Sequence, residues 1–221
     1  VGFMIPSTVT NPVILVTSSI NSEGKSYVAT NLAISLSLLH KKVALVGLDI
    51  RKPMLAKYLN LPTKGCVTSY LSDAAYTVDD LIVASEFKGL DILPAGAIPP
   101  NPSELLQSQR LDELFAELRK RYDYVVIDTA PVAMVSDTFL LNRVADLTVY
   151  VSRARYTTTN LIDFIKQVHE QKRLPNIVTV LNGVGTTKKG YGYGYGYGYG
   201  YGYGYGHHID KKKKWWQLKK A

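Results

Sequence analysis

The stretch Val13-Ile14-Leu15-Val16-Thr17-Ser18-Ser19-Ile20-Asn21-Ser22-Glu23-Gly24-Lys25-Ser26 constrains this chain more than any other. Apolar β-formers run into small polar residues, then Gly-Lys-Ser, then a segment with Val28, Leu32, Leu36 and Leu39 at helical spacing. That order reads strand, phosphate-binding loop, helix. Backbone N–H groups at the start of a helix favour anions through their exposed donors and the helix dipole. Lys25 is expected at the β/γ-phosphates and the Ser26 hydroxyl on Mg²⁺, with Ser22, Glu23, Gly24, Tyr27 and Arg51 completing the nucleotide contacts. The G-x-x-x-x-G-K-[ST] pattern asks for glycine where Ser19 stands, and Asn21 tolerates left-handed dihedrals better than most residues. The alternative is a Ser/Gly-rich turn between a strand and a buried helix, holding no ligand.

At 221 residues the chain has room for one good core and a tail. No apolar run approaches the ~18–20 residues that span a bilayer, and no signal peptide opens the chain. Val1 stands where Met would, so further sequence ahead of it, with any membrane anchor, is expected. A single cysteine, Cys66, excludes an internal disulfide. The net charge of +8 misleads if read as a property of the fold. Eight of the 26 Lys and Arg residues, but only Asp210 of the 18 acids, lie from Lys188 onward, which leaves residues 1–187 nearly neutral. A duplex-binding domain carries a basic face on its folded part. Specific nucleic acid is therefore not an expected partner.

Strand-like runs at Val13–Val16, Val43–Leu48, Leu90–Leu93, Tyr124–Ile127, Leu147–Val151 and Ile177–Leu181 alternate with helical patterns. The helices are predicted at Lys25–Leu39, Val78–Ala84, Ser103–Arg121, Val135–Arg143 and Thr158–Lys172. Near-continuous apolar strands argue an α/β fold, a mostly parallel, doubly wound sheet with helices on both faces. Ligands bind such sheets beyond the carboxyl ends of the strands. Two acids stand there: Asp49, with Arg51 close behind it, and Asp128, directly after Tyr124-Val125-Val126-Ile127. An Asp at the end of an apolar strand is the Walker B pattern and suits Mg²⁺. The blander readings are a surface ion pair for Asp49 with Arg51, and a turn cap for Asp128.

These segments together, with Thr17-Ser18 through Ser26, Asp49-Ile50-Arg51-Lys52-Pro53 and Asp128-Thr129-Ala130-Pro131, resemble the three Walker motifs of the bacterial tyrosine kinases. Those are the P-loop kinases of capsule and exopolysaccharide systems. Pro94-Ala95-Gly96, Pro100-Asn101-Pro102-Ser103-Glu104-Leu105-Leu106 and Val180-Leu181-Asn182-Gly183-Val184 are similar too, and the likeness covers about residues 13–185. Three features depart from it. Asn21-Ser22 stands where the family usually has Pro-Gly, Gly47 replaces the first acid of an Asp-x-Asp pair, and the arginine-rich oligomerisation motif is not visible. Asp49 and Asp128 are left for metal and base work. Ile20 stands where partitioning and cell-division ATPases carry a signature lysine.

Position supplies further candidates. Asn182 is expected to hydrogen-bond an adenine edge, as in similar ATPases, or else to form a turn before Gly183. Arg153 contacts a phosphate or solvates a strand end. Asp137 tunes the Mg²⁺ shell or sits at a helix N-terminus. Met134 and Phe139 are assigned to the core. The four histidines have no metal-ligand spacing.

From Lys188 a tail is expected, making residues 1–187 a P-loop kinase domain and residues 188–221 a Tyr-Gly and Lys/Trp-rich segment. Tyr191, Tyr193, Tyr195, Tyr197, Tyr199, Tyr201, Tyr203 and Tyr205 alternate strictly with glycine. Glycine at every second place disfavours a stable isolated strand, so a disordered tail is predicted. It reads as a phospho-acceptor cluster, an aromatic platform for single strands or an aggregation-prone linker. The resemblance favours the first, since the family autophosphorylates such tails. Lys211–Lys214 with Trp215 and Trp216 suit an interfacial membrane contact or simply a basic end.

The resemblance thus implies an ATP- and Mg²⁺-dependent protein-tyrosine kinase that phosphorylates its own C-terminal tyrosines in trans and regulates polysaccharide synthesis and export. It implies Lys25, Asp49 and Asp128 as catalytic residues and Ser26, Asp49 and Asp128 at the metal. The implied partners are a ring-like, phosphorylation-dependent homo-oligomer, a transmembrane activator upstream of Val1 and a cognate tyrosine phosphatase. The implied location is the cytoplasmic face of the bacterial inner membrane. The rivals are a P-loop ATPase switch without protein phosphorylation and a tail-mediated single-strand binder.

Overall fold

The apolar runs form a seven-stranded sheet, ordered β3-β4-β2-β5-β1-β6-β7. The structure is a computed structural model that describes residues 5, 9–59, 61 and 65–184. The strands are β1 (Val13–Ser18), β2 (Val43–Gly47), β3 (Val83–Ala84), β4 (Leu90–Leu93), β5 (Tyr124–Asp128), β6 (Leu147–Arg153) and β7 (Ile177–Asn182). All neighbours pair in parallel except β3, which runs antiparallel to β4. The helices are α1 (Lys25–Leu38), α2 (Leu55–Leu59), α3 (Val67–Ser72), α4 (Pro102–Gln107), α5 (Gln109–Arg121) and α6 (Thr159–Glu170).

The period of two explains the two layers. On β1, Val13 and Leu15 join a core with Phe115 and Leu118 of α5, while Ile14 and Val16 join the opposite core with Ala29, Ala33 and Leu36 of α1. Every residue of β1 is buried, as a strand covered on both faces must be. Small residues on α1 let it lie close to the sheet. Its first turn therefore stands directly beyond the carboxyl end of β1. On β6, Tyr150 points away from α1 and packs with Ile165 and Val168 of α6.

Several local expectations are corrected. Val78–Ala84 is not one helix but a 3-10 turn, Val78–Leu81, followed by β3. The Thr77 and Asp80 side chains form a reciprocal cap at the start of that turn. Ser103–Arg121 is two helices, broken where Ser108 turns extended. Arg143 Nη2 takes the carbonyls of Leu106 and Ser108 at 2.9 and 3.3 Å, which replaces helical bonds at the break. Val135–Arg143 narrows to a 3-10 segment, Ser136–Arg143. The expected tail from Lys188 lies outside the described residues. Among those described, no helix is long and apolar enough to cross a membrane.

Candidate nucleotide site

The strand order makes β2, β5 and β1 adjacent, and each delivers one charged residue at its carboxyl end. Asp128 ends β5, registered against Val16 of β1 on one side and Gly47 of β2 on the other. Asp49 follows β2, and Lys25 opens the helix after β1. The Lys25 ammonium lies 3.3 Å from Asp49 Oδ2, and Lys52 N–H donates to Asp49 Oδ1 at 3.0 Å. Asp128 Oδ1 is buried with no hydrogen-bond partner. Burial pushes the Asp128 carboxyl up to about 6, against the downward pull of the Lys25 charge and the Ser26 hydroxyl, with the Asp49 charge adding to the rise.

The loop before Lys25 is held in a strained shape. Gly24 sits at φ 99°, and a Cβ there would stand 2.1 Å from Asn182 Nδ2. The residue that takes the left-handed conformation inside the loop is Ser22, at φ 67°, and not Asn21. A non-glycine residue there costs about 1–2 kcal/mol. Ser22→Gly is therefore expected to stabilise the protein by about 0.5–1 kcal/mol after the unfolded-state entropy of glycine is subtracted. Urea denaturation at constant slope reads this directly, and an unchanged midpoint would argue against strain at Ser22. Ser19, where the motif asks for glycine, is fully buried, and its hydroxyl shares a 2.9 Å hydrogen bond with Tyr150 OH. Burial raises the Tyr150 phenol well above its ordinary value.

The other expected residues fall into two groups. Asn182 is at the loop, but both ends of its amide meet backbone: Nδ2 donates to Glu23 O at 2.9 Å, and Oδ1 accepts from Gly183 N–H at 2.8 Å. Glu23 is fully buried, its carboxylate accepting from Ile20 N–H and from the Thr157 hydroxyl. Tyr27 is half exposed on α1. Arg51, the remaining expected nucleotide contact, is engaged with Ser103 and Asp137. Its guanidinium binds Asp137, and Ser103 Oγ donates to the same carboxylate at 2.8 Å. Desolvation works upward on Asp137, but the Arg51 and Ser103 hydrogen bonds and the Arg51 charge outweigh it and hold the carboxyl below its ordinary range. The eight tail tyrosines lie outside the described residues.

Some residues of the site escape sequence reasoning. Tyr156 and Thr157, in the turn after β6, bond to the loop at Asn21 O and Glu23 respectively. Their only signal was position, since that turn shares the carboxyl edge of the sheet. Met134, assigned to the core, is instead 57% exposed, with its sulfur 3.1 Å from Asn21 Nδ2. The Pro131-to-Val135 turn carries it out over the loop. Phe139 is partly buried, with the Arg173 guanidinium 3.6 Å above its ring.

The residues present fit a magnesium-bound polyphosphate. A buried carboxylate oxygen without a partner, beside a serine hydroxyl, is what a cation needs. A glycine with no room for a Cβ and a lysine at a helix start make an anion cradle.

The chain is similar to several known proteins. A family model described as an AAA domain matches residues 13–178. Tyrosine-protein kinase CpsD of Streptococcus agalactiae is 30% identical over 182 residues, which is 82% of this chain and 79% of that protein. Tyrosine-protein kinase wzc of Salmonella typhimurium is 33% identical over 82% of this chain, yet the chain spans only 25% of its length. The kinase domain of Escherichia coli tyrosine kinase ETK superposes with a TM-score of 0.75 at 28% identity, over 84% of this chain and 72% of that one. The septum site-determining protein MinD of Pyrococcus horikoshii, complexed with Mg-ADP, shares the fold with a TM-score of 0.62 at 20% identity, over 77% and 70% of the two chains.

Proposed function

Because the chain belongs to the bacterial tyrosine-protein kinase family, we propose that it transfers the γ-phosphoryl group of ATP to tyrosine phenols, its own Tyr191–Tyr205 cluster first among them. The observation that carries this is the convergence of Lys25, Asp49 and Asp128 on three adjacent strand ends, with one Asp128 oxygen buried and unpartnered. Such an arrangement suits a reaction in which catalysis is mostly positioning and charge stabilisation.

Lys25 leaves Asp49 and neutralises the β/γ-phosphates, while the amides of the loop up to Ser26 hold the polyphosphate from below. Ser26, Asp128 and Asp49 are the residues that would hold the metal. Mg²⁺ held there would supply neutralisation of the charge that develops on the phosphate oxygens. Asp49 Oδ2, released when Lys25 turns to phosphate, takes the proton of the phenol, which at pKa ~10 is a poor nucleophile until it is lost. The phenol oxygen bonds to the γ-phosphorus, the β,γ-bridging bond breaks, and ADP leaves.

The acceptor tail fits this chemistry through its composition. Glycine between every pair of tyrosines lets each phenol be offered in turn to the site of an adjacent copy. Each transfer adds roughly −1.5 to −2 of charge, so a few offset the lysines from Lys188 onward. A phosphorylation-dependent homo-oligomer, a transmembrane activator, a cognate phosphatase, a place at the inner membrane and a role in polysaccharide export belong to the same proposal. Incubation with Mg-ATP followed by intact mass measurement tests it. Mass steps of one phosphate each are expected, mapping to Tyr191–Tyr205. ATP turnover without those steps would instead favour an ATPase switch.

A further inference from the structure

Three consecutive carbonyls of the nucleotide loop are held from outside. Tyr156 OH donates to Asn21 O at 3.2 Å, Arg153 Nη1 to Ser22 O at 2.8 Å, and Asn182 Nδ2 to Glu23 O at 2.9 Å. The Arg153 guanidinium also lies 5.3 Å over the Tyr156 ring, so the two donors brace each other. The buried Glu23 side chain locks the loop to the same turn. Its Oε2 accepts from Ile20 N–H at 2.8 Å, its Oε1 accepts from Thr157 Oγ1, and Thr157 Oγ1 in turn accepts from Arg153 N–H at 2.8 Å.

In a trans peptide the carbonyl of one residue and the N–H of the next point opposite ways. Holding the carbonyls of Asn21, Ser22 and Glu23 outward therefore aims the N–H groups of Ser22, Glu23 and Gly24 to the other side, into the anion cradle. Left-handed Ser22 makes such a brace necessary, because strained backbone persists only where its surroundings over-determine it. We infer that the turn Arg153–Thr157 is a positioning clamp that sets affinity for the polyphosphate by pre-orienting loop amides, without touching the nucleotide. The inference rests on the reading of the Lys25 loop as an ATP cradle, and it adds Arg153, Tyr156, Thr157 and Glu23 as positioning residues.

The test titrates Mg-ADP into the full chain by calorimetry, for wild type, Thr157→Val, Thr157→Ser and Arg153→Gln. Loss of one loop-orienting bond is worth about tenfold in Kd, so Thr157→Val and Arg153→Gln should each weaken Mg-ADP by about that factor. Thr157→Ser keeps the hydroxyl and should bring affinity back to within about twofold of wild type. In each weakened variant KM for ATP rises while kcat at saturation holds, a split that general loss of folding would not give. Equal affinity in Thr157→Val and wild type overturns the clamp. So does a serine variant as weak as the valine one, or a kcat at saturation that falls as far as affinity does. Wild type that binds no Mg-ADP overturns the ATP reading itself, and the clamp with it.

Discussion

Asp128→Asn is expected to remove phosphoryl transfer, by about a hundredfold to a thousandfold, and at the same time to stabilise the nucleotide-free protein at neutral pH. Both effects have one origin. The carboxylate is buried with Oδ1 unpartnered, and burial raises it from the ordinary 3.8 to about 6. Below the unfolded value the group is protonated whether the chain is folded or not, so its contribution is fully present there. As pH rises through about 6 the folded protein must hold a buried anion, and that contribution is lost. A gap of this size corresponds to about 2–3 kcal/mol at pH 7. Asparagine has the same shape and no proton to lose. Wild-type and variant melting temperatures should therefore coincide near pH 4, separate as pH rises through 6, and stay apart at pH 7. Mg-ADP should raise the melting temperature of wild type and leave the variant nearly unmoved. Curves that coincide at pH 7 would mean that Asp128 carries no burial cost. The Arg51–Asp137 pair has the opposite sign: its depressed carboxyl contributes at neutral pH and loses that contribution as pH falls.

The asymmetry between those carboxylates was not legible in the sequence, although both acids were. Hydrophobic continuity marks β1 and β5 because a strand covered on both faces has to be apolar throughout. The residues after such strands then fall at the ligand edge without further information. Lys25, Asp49 and Asp128 were found that way. What a one-dimensional pattern lacks is the neighbour across the sheet. Arg51 lies two residues from Asp49, yet it reaches Asp137, far along the chain, because α4 and the Ser136–Arg143 segment come together beside it. Asn182 stands at the expected strand end, but its amide meets loop backbone, a contact set by the crossing of β7 past Gly24. The break at Ser108 was hidden for a related reason. Helical spacing of leucines continues through it, and only the Arg143 guanidinium shows what replaces the lost bonds.

Gly24→Ala is expected to damage stability and nucleotide binding together. The glycine holds φ 99°, where an L-residue is strained, and its missing Cβ leaves room for Asn182 Nδ2, which would be 2.1 Å away. Relief of that overlap requires Asn182 to release Glu23 O, so the carbonyl bond at 2.9 Å goes as well. Strain and lost bond together should cost about 3 kcal/mol of stability. Because the residue precedes Lys25, Mg-ADP affinity should fall by about a hundredfold or more. The two contributions separate in a double variant. Asn182→Gly removes the overlap but neither the dihedral strain nor the loss of the carbonyl donor, so adding it to Gly24→Ala should return part of the stability and little of the affinity. Strictly additive losses would mean that the alanine methyl group and the Asn182 amide never meet. Full recovery of both stability and binding would mean that the left-handed backbone at Gly24 contributes nothing. A stability gain without a gain in affinity is the result that ties the loss of binding to the backbone shape at Gly24 and the freed Glu23 carbonyl rather than to the overlap itself.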